Sequence, residues 1–404
     1  MDAQQRRLSL FLLLATCLGI GIFRFSYTAL LPSTRLAFEW SSEFASLLGS
    51  ANLLGYLIGA VWTMRLNRQL LSWIQAAAFL GSLSLFCCAF AGFEGSWYLF
   101  WRILSGICGG WLMILAPSVV AQHCELQHRF KINVIGFSGI GLGVLLATLF
   151  LPYLDHISTS SAWLILCAFA VLCSLGLILL KPKALPVNIQ SQPQSAAAVP
   201  INKKVFASLL LVYSCSAFSY VPHSLFWIDY LSQVQQLSLF WINSHWILYG
   251  LGSACGAACA YFLAKQLGNL KALKILYCLY VAAILAAIAP WSVMTFLSSF
   301  FTGLLNPAVV FLTSYTLLQL YGLAYKKLWG MATLCFASVQ LIGGLSFSGL
   351  QVAGWSYPQQ FLLAGAVLAL GNLYFICSLP ATKTPVSTAE VTDLAYSSVS
   401  SCTK

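Results

Sequence analysis

Residues 8–32 read LSLFLLLATCLGIGIFRFSYTALLP. One charge, Arg24, interrupts the run. At 1.5 Å per residue, a helix of this length exceeds the roughly 30 Å of hydrocarbon in a bilayer. The run is too long for a cleaved signal and has no small-residue cleavage site. An unbroken apolar stretch is not the alternating pattern of a transmembrane barrel either. Similar runs recur at 40–64, 70–92, 95–120, 132–154, 160–180, 204–230, 240–263, 272–289, 291–318, 328–352 and 358–380. The least distinct break is at Pro290-Trp291. The whole chain fits this reading. Its 404 residues are 60% apolar or aromatic and only 7% charged, against roughly 25% charged in a soluble domain. Mean hydropathy is +0.86. The predicted fold class is an all-α membrane protein with twelve transmembrane helices.

The formal net charge of +11 becomes a topology signal once each charge is placed. With the N-terminus inside, the cytoplasmic side receives Arg6, Arg7, Arg65, Arg68, Arg129, Lys131, Lys181, Lys183, Lys203, Lys204, Lys265, Lys271, Lys274, Lys326, Lys327, Lys383 and Lys404. Arg35 alone falls in an outer loop, with Glu39, Glu43, Glu94, Asp155 and Asp229 on or near that side. This positive-inside pattern predicts cytoplasmic N- and C-termini. It removes any need for a nucleic-acid partner; the expected surroundings are the lipid bilayer of a bacterial inner membrane. The fourteen cysteines show no metal-ligand spacing, and most lie in apolar runs as small hydrophobes. No disulfide framework, metal or cofactor is predicted.

The longest connection, residues 181–203, reads KPKALPVNIQSQPQSAAAVPINK. Its Pro, Gln, Ser and Ala between basic ends suit a flexible cytoplasmic linker. It separates a six-helix bundle at 1–180 from another at 204–380, followed by a Ser/Thr-rich tail, 381–404, predicted to be disordered. Faint internal similarity relates the bundles. Phe25-Ser26-Tyr27 matches Phe218-Ser219-Tyr220, Gly55 and Gly59 resemble Gly252 and Gly256, and Gly106 resembles Gly303. Chance remains an alternative, since such patterns are common in apolar helices; the near-constant offset argues for a repeat.

Six spans on each side of a central loop resemble the major facilitator superfamily. Gly19-Ile20-Gly21-Ile22-Phe23-Arg24-Phe25-Ser26-Tyr27-Thr28-Ala29-Leu30-Leu31-Pro32 resembles the opening motif of its YbfB/YjiJ-like group. The run Gly136-Phe137-Ser138-Gly139-Ile140-Gly141-Leu142-Gly143 and the segment Trp101-Arg102-Ile103-Leu104-Ser105-Gly106 resemble that group's fifth and fourth spans. The resemblance extends to about residue 380 and implies a transport role without a substrate. One departure matters: Met64-Arg65-Leu66-Asn67-Arg68 keeps the superfamily's basic residues at this loop but lacks its acid.

Arg24 and Arg102 are the sharpest candidates, because an arginine in hydrocarbon needs water, a partner or a ligand. Both fall about 10 Å below the outer helix ends, and the resemblance implies that their helices line a central cavity. A guanidinium fork suits a carboxylate or phosphate. The predicted substrate is a small anion, carboxylate-bearing. Snorkelling or carbonyl capping is the structural alternative for one or both arginines. Tyr27 and Tyr220 are candidate hydrogen-bond donors to substrate, with interhelical packing as the alternative. His223 and Asp229 are candidates for coupling to protons or for gating, as are Arg65, Arg68, Asn306 and Pro307 for gating. Trp227, Trp241 and Trp246 read as outer-interface aromatics.

An intramembrane enzyme would need a nucleophile–base pair or a deep metal site, and neither is present in the sequence pattern. The loops are too short for a receptor's output domain. No Gly-x-x-x-x-Gly-Lys motif supports an ATP-driven pump. A monomeric secondary transporter remains. Export of a small metabolite or drug-like compound, and import of a carboxylate-type siderophore, stand as alternatives.

Overall fold

A computed structural model describes residues 2–149, 157–182 and 202–379. Among the described residues there is no strand. The first run folds as α1 (Ala3–Thr16), a π-helical segment (Cys17–Ile22) and α2 (Phe23–Ala37). Then come α3 (Ser42–Thr63), α4 (Leu70–Cys87), α5 (Gly95–Gln122), α6 (Arg129–Thr148) and α7 (Thr159–Leu179). The second half of the chain starts with α8 (Lys203–Ser219), α9 (Val221–Leu225) and α10 (Trp227–Asp229). It continues with α11 (Leu239–Leu267), α12 (Asn269–Ala286), α13 (Ser292–Tyr321), α14 (Tyr325–Val352) and α15 (Tyr357–Ser378).

Nine stretches among the described residues are long and apolar enough to cross a bilayer. The difference from twelve has local causes. Ser292–Val352 is one apolar stretch but holds two helices, α13 and α14, joined by a turn at Gly322–Ala324. The apolar part of α3, Leu47–Thr63, is short. The predicted seventh span is broken at Tyr220 and Phe226 into α8, α9 and α10. Most of the predicted linker (183–201), the tail 381–404 and Asp155 lie outside the described residues.

Glycines set the tightest crossings. A Cβ on Gly55 would strike the backbone of Ile103, one on Gly59 that of Ile107, and one on Gly106 that of Asn52. These lock α3 to α5. The α11–α13 crossing repeats the pattern: Gly252 meets Phe300, Gly256 meets Leu304, and Gly303 meets Tyr249. Every residue in one crossing lies 197 positions from its counterpart (55 and 252, 59 and 256, 106 and 303). The faint sequence similarity thus corresponds to repeated packing. On α6, Gly136, Gly139 and Gly143 face α1 and the π segment, while Gly141 faces the backbone of Ser253 and Ala254 on α11. One helix therefore packs closely on both halves of the chain.

Two prolines interrupt long helices, and each frees the carbonyl four residues earlier. Pro307 in α13 frees Gly303 O, which accepts from Ser253 Oγ at 3.0 Å. Pro117 in α5 frees Met113 O, which accepts from Trp329 Nε1 of α14 at 3.1 Å. The second bond joins the two halves. Nearby, Phe130 stacks on Tyr315 at 4.2 Å between ring centroids and touches Tyr261 at 4.6 Å. Lys326 Nζ donates to Leu66 O and to Asn67 Oδ1. The face carrying the α3–α4 and α13–α14 loops is closed by these contacts.

Candidate functional site: a cavity between the two halves

The cavity lies between helices of both halves. Ile20, Arg24 and Phe25 of the first run, Tyr56 of α3, Met113 of α5 and Ile140 of α6 form one side. Tyr213 and Tyr220, with Asn306, Pro307 and Val310 of α13 and Thr333 and Phe336 of α14, form the other. The cavity has a volume of only about 30 Å³, room for about two waters.

Arg24 is positioned by the π segment that precedes it. Gly21 in that segment is pressed against Gly143 of α6, and Gly19 against Gly109 of α5. A π turn adds a residue per turn and rotates the face presented by the helix after it. Arg24 then borders the cavity, with Nη2 buried and without a hydrogen-bond partner. Two groups from the other half are in the same condition: Asn306 Oδ1 and Thr333 Oγ1. Buried polar atoms are nearly always satisfied, so three around one void mark a place for water or a polar ligand. Tyr220 Oη and Tyr249 Oη lie 2.5 Å apart. Tyr249 was not singled out by sequence, although the 197-residue offset pairs it with Asn52, which donates to Arg102 O at 3.2 Å.

Arg102 lies at the depth of Arg24 but is not part of the cavity lining. Its side chain is buried between α2 and α5, 3% exposed. Nη1 donates to Phe23 O at 3.3 Å, and the guanidinium carbon sits 4.3 Å from the Tyr27 ring centroid. Ser105 Oγ and Asn52 Nδ2 also point to Phe23 O. Tyr27 is turned the same way, its hydroxyl donating to Ala45 O at 2.5 Å. The expectation of two guanidiniums on one water-filled path therefore differs from this geometry. The roughly 60° between Arg24 and Tyr27 around the helix separates a cavity wall from a helix interface. The structure brings together Arg24, Tyr220, Asn306 and Pro307, and leaves Arg102 and Tyr27 behind that wall.

His223 is also off the cavity lining. Nε2 pairs with Ser298 Oγ at 2.9 Å, and the ring stacks on Trp227 at 4.6 Å. Ser298 spends its one hydrogen on Ala283 O, so it accepts from His223 Nε2–H. His223 Nδ1 then carries a lone pair, buried and unpartnered. His245 pairs with the adjacent serine, Ser299, which also accepts from Trp227 Nε1. This two-histidine, two-serine arrangement cannot be read from the sequence, because it needs α9, α11 and α13 together. Trp227 and Trp246 are 1% and 2% exposed. They are core residues rather than outer-interface anchors; only Trp241 of the three is exposed. Asp229 is exposed and within electrostatic reach of Arg35 on α2. Arg65 and Arg68 are exposed on the closed face, where contact across the halves is made by Leu66 and Asn67 between them.

The long apolar helices and the repeated crossings describe a multi-pass membrane protein with a cavity between its two halves. A family model described as "Uncharacterised MFS-type transporter YbfB" matches residues 16–375. The chain belongs to that family of the major facilitator superfamily.

Proposed function

We propose that this protein is a secondary active transporter that moves a small carboxylate-bearing anion by alternating access, with Arg24 as the anion contact. The observation that carries the reading is the buried, unpartnered Arg24 Nη2 beside a cavity built from both halves. The proposed topology has twelve spans, in six-helix bundles at 1–180 and 204–380, with both termini in the cytoplasm of a bacterium and the bundles in its inner membrane. The basic loops support it. The transporter acts as a monomer, since one chain supplies both walls of the cavity. Counterflow in proteoliposomes tests this. Wild type exchanges small anions, and Arg24→Gln lowers exchange by about tenfold or more at unchanged membrane abundance. Unchanged kinetics in Arg24→Gln would sink the reading.

Proton coupling is a second reading, favoured by the bare His223 Nδ1 lone pair. Protonation there would add a buried charge in the outer part of the second bundle and bias one conformation. Under this reading His223→Gln keeps anion counterflow but abolishes accumulation driven by a pH gradient. Retained pH-driven accumulation in that variant would exclude His223.

A further inference from the structure

The lining of the cavity narrows the class of anion, given the transport role proposed above. We infer that the substrate is a monoanion with a compact apolar body and one neutral hydrogen-bonding group besides its carboxylate.

The charge count comes first. Arg24 is the one cation among the described lining residues, and no carboxylate is among them. Arg102 lies outside the lining, with Nη1 on Phe23 O and the guanidinium over the Tyr27 ring, though its Nε is also buried without a partner. A second negative charge on the substrate would be buried without a counter-charge, which is strongly unfavourable. The body comes next. Ile20, Met113, Ile140, Val310 and Phe336 also line the void, so the body of the ligand meets apolar side chains.

Further polar groups come from the second half of the chain. Asn306 Oδ1 and Thr333 Oγ1 are both unpartnered and belong to α13 and α14, whereas Arg24 belongs to the first run. Tyr220 also borders the void, its hydroxyl paired with that of Tyr249, which is in turn bonded to Ser253 and Asn306. A simple monocarboxylate satisfies Arg24 and leaves these groups unpaired. A hydroxyl group on the same molecule can donate to Asn306 Oδ1 and accept from Thr333 Oγ1. Such a molecule would touch both halves at once, in a conformation with a wider cavity than the roughly 30 Å³ seen here.

Two matched probe series separate the possibilities in proteoliposome counterflow: benzoate, 4-hydroxybenzoate and terephthalate, and butyrate, 4-hydroxybutyrate and succinate, with inorganic phosphate alongside. In at least one series the hydroxylated monoanion is expected to exchange about tenfold faster than the plain one. The dianion of that series is expected to be slower than the hydroxylated probe by about a hundredfold. Asn306→Ala combined with Thr333→Val brings the ratio of hydroxylated to plain probe to about one. A ratio is insensitive to the amount of folded protein. Equal or faster exchange of the dianion or phosphate overturns this inference alone, as does an unchanged ratio in the double variant. No exchange of any of the seven probes removes both this inference and the anion-transport role.

Discussion

Arg24 and Arg102 sit at one depth and have different neighbours, and their variants are expected to separate accordingly. Arg102 joins Ser105 and Asn52 at Phe23 O and lies over Tyr27. Arg102→Met removes one hydrogen bond and a cation–π contact, with an expected loss of about 1–3 kcal/mol of stability. A lowered melting temperature in detergent, with little change in substrate affinity of the folded fraction, is the result expected. Arg24→Met should do the reverse: little loss of thermal stability, because the Nη2 group leaves no partner behind, and loss of anion affinity. If Arg102→Met lowers affinity as much as Arg24→Met while leaving melting unchanged, Arg102 has a ligand role that this geometry does not give it. Depth was legible in the sequence, since it needs only the rise per residue from the span ends. Direction was not. It depends on the π segment at Cys17–Ile22 and on which helix lies against which face. The unpartnered Thr333 and the Tyr249 phenol were likewise invisible until distant helices were assembled.

Among the elements, α5 and α13 share a device that the sequence shows only as a proline in an apolar run. Pro117 frees Met113 O, and Trp329 fills it from the other half; Pro307 frees Gly303 O, and Ser253 fills it within the same half. Trp329→Phe leaves Met113 O buried without its donor, at a cost of about 1–3 kcal/mol. In a Pro117→Ala background α5 can close its own ladder at Met113 O, so the same change is expected to cost less. A double-mutant cycle on melting in detergent would read a coupling of about 1 kcal/mol. Additive effects would mean that the proline and the indole are independent. Gly55→Ala tests the crossings, since its Cβ would strike Ile103 backbone rather than a movable side chain. About 1–3 kcal/mol of destabilisation is expected, with Gly252→Ala behaving alike at the equivalent α11–α13 crossing. The long apolar spans were legible as helices because their length and polarity leave few other solutions. The break of the predicted seventh span into α8, α9 and α10 was not.

Across the whole molecule, the closed face is held by groups that carry no acidic partner, which accords with the missing acid in the α3–α4 loop. Lys326 Nζ reaches Leu66 O and Asn67 Oδ1, the Phe130 ring packs on Tyr315 and Tyr261, and Trp329 binds Met113 O. These contacts all join the first half of the chain to the second on one side of the cavity. Alternating access requires that they break together when that side opens. The ammonium–carbonyl bond has no second charge to screen, so its strength should depend little on salt, unlike a Lys–Asp pair. Lys326→Ala should therefore shift the population toward the state open on this face by about tenfold, if the bond contributes about 1.4 kcal/mol. Hydrogen exchange reads this directly. Faster exchange is expected in the α3–α4 loop and the first turn of α14, with no change in the α6–α11 contact at Gly141 and Ser253. Faster exchange everywhere would indicate global destabilisation, and no change in the α3–α4 loop would show that Lys326 does not hold the face closed. Combining Lys326→Ala with Trp329→Phe should open the face further, because these two residues of α14 hold the closed state through different elements of the first half.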